Sequence, residues 1–169
     1  MDHREKVEFI LYQMKIMIKK KDIIRLLIVS RKVTEKTFKG QNIEDLRVQY
    51  YAYFSVYHIH EQDHLEAANG MKAIVDSLLK SAPELANIPK ENEFGFKFDF
   101  DIVFSNLIFF TAVAEYSDKR SQLLNEISTT YVSQLEKRPT LLRLVKGLLS
   151  KELISTDINN WEISKAQIF

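Results

Sequence analysis

The chain has 169 residues, 46% hydrophobic and 28% charged, long enough to bury a core and polar enough to dissolve, which predicts one soluble domain. It has no cysteine, which excludes disulfide frameworks, thiolate zinc fingers and cysteine nucleophiles and makes a reducing compartment the simpler setting. The net charge of +1 is unevenly spread: residues 1–40 carry 11 Lys and Arg against 5 Asp and Glu, residues 41–100 carry 5 against 10, and the remainder balances at 8 against 8, a pattern that suits docking between protein neighbours better than wrapping a nucleic acid.

The opening MDHREKVEF lacks the apolar stretch of a signal peptide, and no run approaches the roughly 18 apolar residues of a membrane span. An intracellular protein is expected. Four Gly and three Pro in the whole chain leave little for hairpin turns, and the long segments between them have helical periodicity, so the fold is predicted to be all-α.

Val7, Ile10, Leu11, Met14, Met17 and Ile18 recur at intervals of three and four and define a first helix over Glu5–Ile18. Lys19, Lys20 and Lys21 then interrupt the stripe. They are read as a solvated turn rather than a phosphate site, because helix C-termini favour cations. Asp22 caps a second helix bearing Ile23, Leu26, Leu27, Val29 and Val33. The plan then repeats. Asn42 with Asp45 resembles a helix start ahead of Leu46, Tyr50, Tyr53, Phe54 and Tyr57, and Asp63 with Glu66 opens a helix containing Ala67, Ala68, Gly70, Ala73, Ile74 and Leu78. The capping residues Asp22 and Asp63 stand 41 positions apart, within the range of two-helix repeats that stack into solenoids. Ala67, Ala68 and Gly70 are expected to let the paired helix approach closely.

Residues 82–100 hold Pro83 and Pro89 and break the periodicity. Phe94, Phe96, Phe98 and Phe100 alternate with period two, but no partner strand is visible, so an ordered loop pinning aromatics onto the helices is preferred to a strand. Helices resume at Asp101–Glu115, apolar almost all round and hence central, and from the capping Ser117 through Leu123, Leu124 and Ile127. Pro139 occupies a first helical position and opens Thr140–Leu153.

His60-Glu61-Gln62-Asp63-His64 fits the H-E-x-x-H pattern of zinc metalloproteases. That chemistry needs both histidines on one uninterrupted helix, one turn apart, with Glu activating a metal-bound water. Asp63 is the best cap in the region and divides the pattern between two helices. The positions where an extended motif would place glycine and histidine hold Ala67 and Gly70, and Glu84, at a distance used for a third ligand, follows Pro83 in the irregular segment. His58 and His60 differ by two positions and point apart on a helix. No metal, cofactor or catalytic residue is therefore assigned, and no motif anchors Ser-His-Asp hydrolysis or nucleotide binding.

Arg4-Glu5-Lys6-Val7-Glu8-Phe9-Ile10-Leu11, Gln13-Met14, Lys21-Asp22, Ser30-Arg31-Lys32-Val33 and Thr37-Phe38 resemble the lid subunit of the 26S proteasome regulatory particle called non-ATPase subunit five in yeast and twelve in animals, of the PCI family. The resemblance continues in order through Leu46, Tyr50-Tyr51, His64-Leu65-Glu66-Ala67-Ala68, Ser121-Gln122-Leu123-Leu124 with Ile127-Ser128, and Leu142, Val145-Lys146 and Glu152-Leu153. It implies a right-handed α-solenoid of antiparallel, TPR-like helix pairs and a subunit without catalysis that holds the lid together and seats it on the base in ubiquitin-dependent degradation. It also implies other lid and base subunits as partners, with no nucleic acid, membrane or small-molecule substrate, and a cytoplasmic and nuclear location. Residues Ser155–Phe169 match poorly, with Asp157-Ile158-Asn159-Asn160 where the family tends to be more apolar.

One helical-repeat domain over residues 1–169 is expected, with helix pairs at about 4–36, 42–81, 101–129 and 130–154, a loop at about 82–100, and neither the family's preceding helices nor its winged-helix PCI module. Three alternatives stand beside it: a PCI-type scaffold of the signalosome or of a translation-initiation complex, a stand-alone peptide-binding repeat with exposed Asn, Lys or Arg along a concave face, and, remotely, a zinc hydrolase. Trp161 and the Phe94–Phe100 cluster are candidate partner contacts, with core packing preferred for the phenylalanines.

Overall fold

Intervals of three and four between apolar residues give each helix of this chain one face to bury, and the short Asp-capped turns bring consecutive faces together. The computed structural model describes residues 3–38, 43–80, 85–86, 88, 92, 94 and 96–150. Within them the fold is all-α. Helix α1 (His3–Lys19) buries Val7, Leu11 and Met14, and α2 (Ile23–Ser30) buries Leu26 and Val29. A short 3-10 turn, Glu35–Phe38, leads to the pair α3 (Glu44–His60) and α4 (His64–Leu79). Helices α5 (Phe100–Val113), α6 (Asp118–Thr130), α7 (Val132–Glu136) and α8 (Pro139–Ser150) follow, and no strand runs through the described residues. Neighbouring helices stack in chain order, α1 on α2 and α3, α3 on α4, α4 on α5, as in a helical solenoid. The last three helices pack among themselves and on α5, which meets α6 only lightly.

Two cores result. One joins α1, α2 and the Phe38 turn to Leu46, Tyr50 and Tyr53 of α3. The other joins Val48 and Ala52 of α3 to α4, α5 and the C-terminal helices. Helix α5 is central as its composition predicts, burying Val103, Phe104, Leu107, Ile108 and Phe110.

The caps follow the sequence closely. Asp22, Asp63 and Ser117 each accept a backbone N–H at the start of a helix as expected, Pro139 is the first residue of α8, and Asp99, not foreseen as a cap, accepts from Asp101 and Ile102 at the start of α5. The start of α3 differs. Its N-cap is Ile43, with no side-chain cap bond, while Asp45 is drawn instead to Arg4 of α1, whose guanidinium reaches both carboxylate oxygens at 3.2 and 2.5 Å. Asp45 thus serves an interhelical charge pair. Asn42 lies outside the described residues, as do Glu84, Trp161 and everything after Ser150.

The phenylalanine segment forms an ordered loop rather than a strand. Asn92 Oδ1 accepts the backbone N–H groups of Phe94 and Phe96, both at 2.9 Å, and Asn92 N–H donates to Phe96 O. Phe96 and Phe98 enter the core beneath α4 and α5, whereas Phe94 turns to the other core and meets the Tyr53 ring edge-on at 5.8 Å.

Helices α3 and α4 approach closely at Gly70, where a Cβ would stand 2.5 Å from Ser55 Oγ. Ser55 is fully buried and its hydroxyl has no hydrogen-bond partner among the described residues. Gly70→Ala should therefore destabilise the chain by about 1–3 kcal/mol, while the same change on a Ser55→Ala background, where the obstructing oxygen is gone, should be neutral or gain up to ~1 kcal/mol from helix propensity. Urea unfolding of the four variants checks this; an equal cost in both backgrounds would refute the contact as the cause.

The HEQDH junction and the polar ties between helices

The five-residue pattern lies across a helix junction. Helix α3 ends at His60, Gln62 adopts the left-handed conformation with φ 60°, and Asp63 caps α4, its Oδ1 accepting Glu66 N–H at 3.2 Å. Backbone N–H groups of Gln62 and Asp63 donate to Ile59 O and His58 O at 3.1 and 2.9 Å, the paired bonds of a Schellman termination. The α1–α2 turn repeats this bond for bond: Lys21 has φ 54°, Lys21 and Asp22 donate to Ile18 O and Met17 O, and Asp22 accepts Arg25 N–H. The 41-residue spacing read from the caps is thus a spacing of whole turns. Lys19, Lys20 and Lys21 are exposed there, a solvated turn.

His60 and His64 consequently belong to different helices. The His60 ring is exposed beside Glu61, and the His64 ring stacks near Phe110 of α5 at 6.1 Å. Among the described residues no group of three or more His, Cys, Asp or Glu is placed to hold a metal ion. His58 is half-buried. Its ring packs on Phe54 at 4.2 Å and Tyr57 at 4.9 Å, and Nδ1 stands 3.4 Å from Asp63 Oδ2 without the alignment of a hydrogen bond. Burial lowers its pKa below the ordinary 6.5, against the opposing pull of Asp63, Glu66 and Glu61.

Polar side chains instead converge where helices must hold register. At the first of these sites Glu44 accepts from Ser77 at 2.9 Å and meets Lys80 at 3.3 Å, while Arg47 bridges Glu44 and Ser77 and lies over the Tyr51 ring at 5.7 Å. Burial would raise the Glu44 pKa, but the bonds from Ser77 and Lys80 outweigh it and hold the carboxyl below its ordinary value. At the second, Lys72 of α4 pairs with Glu126 of α6 at 2.8 Å and with Asp76 at 3.4 Å, and the buried Tyr131 donates its hydroxyl to Asp76. Burial pushes the Tyr131 hydroxyl upward, reinforced by Asp76; it also opposes the Lys72 charge, but Glu126 and Asp76 carry that group above its ordinary value. At the third, Arg138 pairs with Asp101 and lies over Phe100 and Phe104 at 5.4 and 5.5 Å. None of these ties was visible in the sequence, where each charge reads as part of a solvated helix face.

A groove of about 420 Å³ lies along α3 and α4, walled by Tyr50, Tyr51 and Phe54 and by Arg47, Asn69 and Lys72. It has the residue types of a peptide-binding face. Its two cations, however, are already engaged with carboxylates of the same chain, and a peptide would have to compete with them.

Comparison with known proteins gives a consistent picture. Residues 1–81 match the family model described as PSMD12/CSN4, N-terminal. The chain is 28% identical over 145 residues to the 26S proteasome regulatory subunit RPN5 of Saccharomyces cerevisiae, covering 85% of this chain and 30% of that protein. It is 33% identical over 87 residues to the 26S proteasome non-ATPase regulatory subunit 12 of Dictyostelium discoideum, covering 50% of this chain and 20% of the relative. It is 24% identical over 154 residues to the regulatory subunit rpn501 of Schizosaccharomyces pombe, covering 90% of this chain and 31% of the relative. The chain thus spans less than a third of the length of these relatives.

Two outcomes follow from the junction. Gln62→Gly, and independently Lys21→Gly, should raise the unfolding free energy by about 1 kcal/mol, since each relieves a left-handed non-glycine residue; thermal unfolding checks it, and a fall in either midpoint would contradict the turn geometry. Because His58 binds its proton less readily when folded, its contribution to stability is present above pH 6.5 and is lost as pH falls below it. His58→Leu should flatten the dependence of urea stability between pH 7 and pH 5, a window above the range in which Glu44 titrates.

Proposed function

We propose that this chain is a structural, non-catalytic segment of a 26S proteasome regulatory-particle lid subunit, whose work is to hold neighbouring lid subunits in register and seat the lid on the base. The carrying observation is the similarity to RPN5 along 85% of the chain, joined to a fold of stacked helix pairs that offers extended faces. The polar chemistry supports the same reading. The charge clusters at Glu44, Lys72 and Arg138 are satisfied across helices, and the two cations that line the groove, Arg47 and Lys72, are held by carboxylates of the same chain, which favours a geometric role. In this reading mechanism is shape: the pairs set the curvature, the interior ties prevent sliding, and the outer faces meet neighbours. No helix among the described residues is long and apolar enough to cross a membrane, which agrees with a cytoplasmic and nuclear assembly.

A second reading has a specific observation in its favour. The family model over residues 1–81 is shared by PSMD12 and CSN4, so a place in the signalosome is the rival assembly. Affinity purification of the tagged chain from its own cells, with mass spectrometry of co-purifying proteins and zinc analysis of the eluate, separates the two. Proteasome lid subunits without stoichiometric zinc are expected. Signalosome subunits in their place would move the assignment to the second assembly, and neither set would overturn both.

A further inference from the structure

We propose that the outward face of α2, the isoleucine pair Ile24 and Ile28 framed by Lys20, Lys21, Arg31 and Lys32, docks an acidic amphipathic helix of a partner protein. Helix α2 buries Leu26 and Val29 against its neighbours, and Ile24 and Ile28, one turn apart, stand on the opposite side. Ile24 is 77% exposed, more than any other large apolar side chain among the described residues, and Ile28 is 58% exposed. A single exposed isoleucine is ordinary. Two on one face of an eight-residue helix, with nothing of the described chain over them, form a small apolar site.

The charges around the pair give the chemistry of its occupant. The cations that tie helices together, Arg4, Arg47, Lys72 and Arg138, each meet a carboxylate. Lys20 and Lys21 before α2, and Arg31 and Lys32 after it, are exposed and make no ion pair among the described residues. Asp22 does not neutralise them, because it is bound to Arg25 at 3.3 Å and caps the helix. An eight-residue helix rises about 12 Å, so cations bracket the apolar pair at both ends over roughly two to three turns. The complementary ligand is a helix with apolar residues at i and i+3 or i+4 and carboxylates one or two turns to either side. A nucleic-acid backbone would satisfy the cations but leave the isoleucines in water. An anionic bilayer would accept both, yet two side chains on so short a helix give little insertion, and the acidic stretch that follows, 10 Asp and Glu against 5 Lys and Arg in residues 41–100, would be repelled from it.

This deepens the assembly reading by naming one docking face and the chemistry of its partner. The test places a photo-crosslinking amino acid at position 24 or 28 of the full chain in its own cells and identifies the crosslinked segment by mass spectrometry. The expected product is a protein segment of net negative charge with helical apolar spacing, and Arg31→Glu with Lys32→Glu should cut the yield about tenfold with circular dichroism unchanged. Lys20→Glu with Lys21→Glu should do the same and stands in if the first pair perturbs folding. A neutral or basic segment, a lipid or nucleic-acid product, or a yield no higher than from exposed position 36 would overturn the proposal. Co-purifying lid subunits are scored in the same sample, so loss of the docking face alone is distinguished from loss of the assembly reading.

Discussion

Helix α3 has to be apolar on two sides at once, and the arrangement of every other element depends on it. Leu46, Tyr50 and Tyr53 close the core over α1 and α2, while Val48 and Ala52 face α4 and the second core. Tyr51 packs against both. Aromatic residues face the first pair, and alanine with the Gly70 contact permits a close approach to α4. A helix with a single apolar stripe would leave the first pair without a surface to rest on.

Apolar burial brings these helices together without choosing among neighbouring registers, since a one-turn slide exchanges one aliphatic side chain for another. The polar ties supply that choice. Arg4 with Asp45 fixes the start of α1 against the start of α3, Glu44 with Ser77 and Lys80 fixes α3 against the end of α4, Lys72 with Glu126 spans α4 to α6, and Arg138 with Asp101 pins the last helices to α5. Half-buried ion pairs add little net stability because desolvation offsets their attraction. Mismatching them leaves charges without partners, so their effect is to penalise wrong arrangements.

Much of this was legible in the sequence. The three-and-four spacing placed the major helices, and Asp22, Asp63, Ser117 and Pro139 marked their starts because capping depends on a few adjacent residues. The split of HEQDH followed from one of those caps, and the expected close approach at Gly70 from the small residues around it. What escaped was nonlocal. Asp45 was read as part of a helix start because Arg4 lies 41 positions away; Lys72 and Glu126 gave no signal because each is an ordinary polar residue within its own helix, and Tyr131 because it stands at the junction of α6 and α7. Helix α7, five residues long, is too short to show a period. The aromatic loop was expected as a loop, but Asn92, which organises it through three hydrogen bonds, is indistinguishable in sequence from any loop asparagine.

That loop alters how the molecule responds as a whole. In a simple helical stack each repeat touches only its immediate neighbours, so an array can open from one end, pair by pair. Here one loop inserts Phe94 into the first core and Phe96 and Phe98 into the second. Phe94 and Phe96 are held to the same Asn92 side chain, so the loop joins two cores that adjacent-helix contacts alone would leave to α3. The loop thus reaches both cores, a link between them in addition to the one that α3 provides.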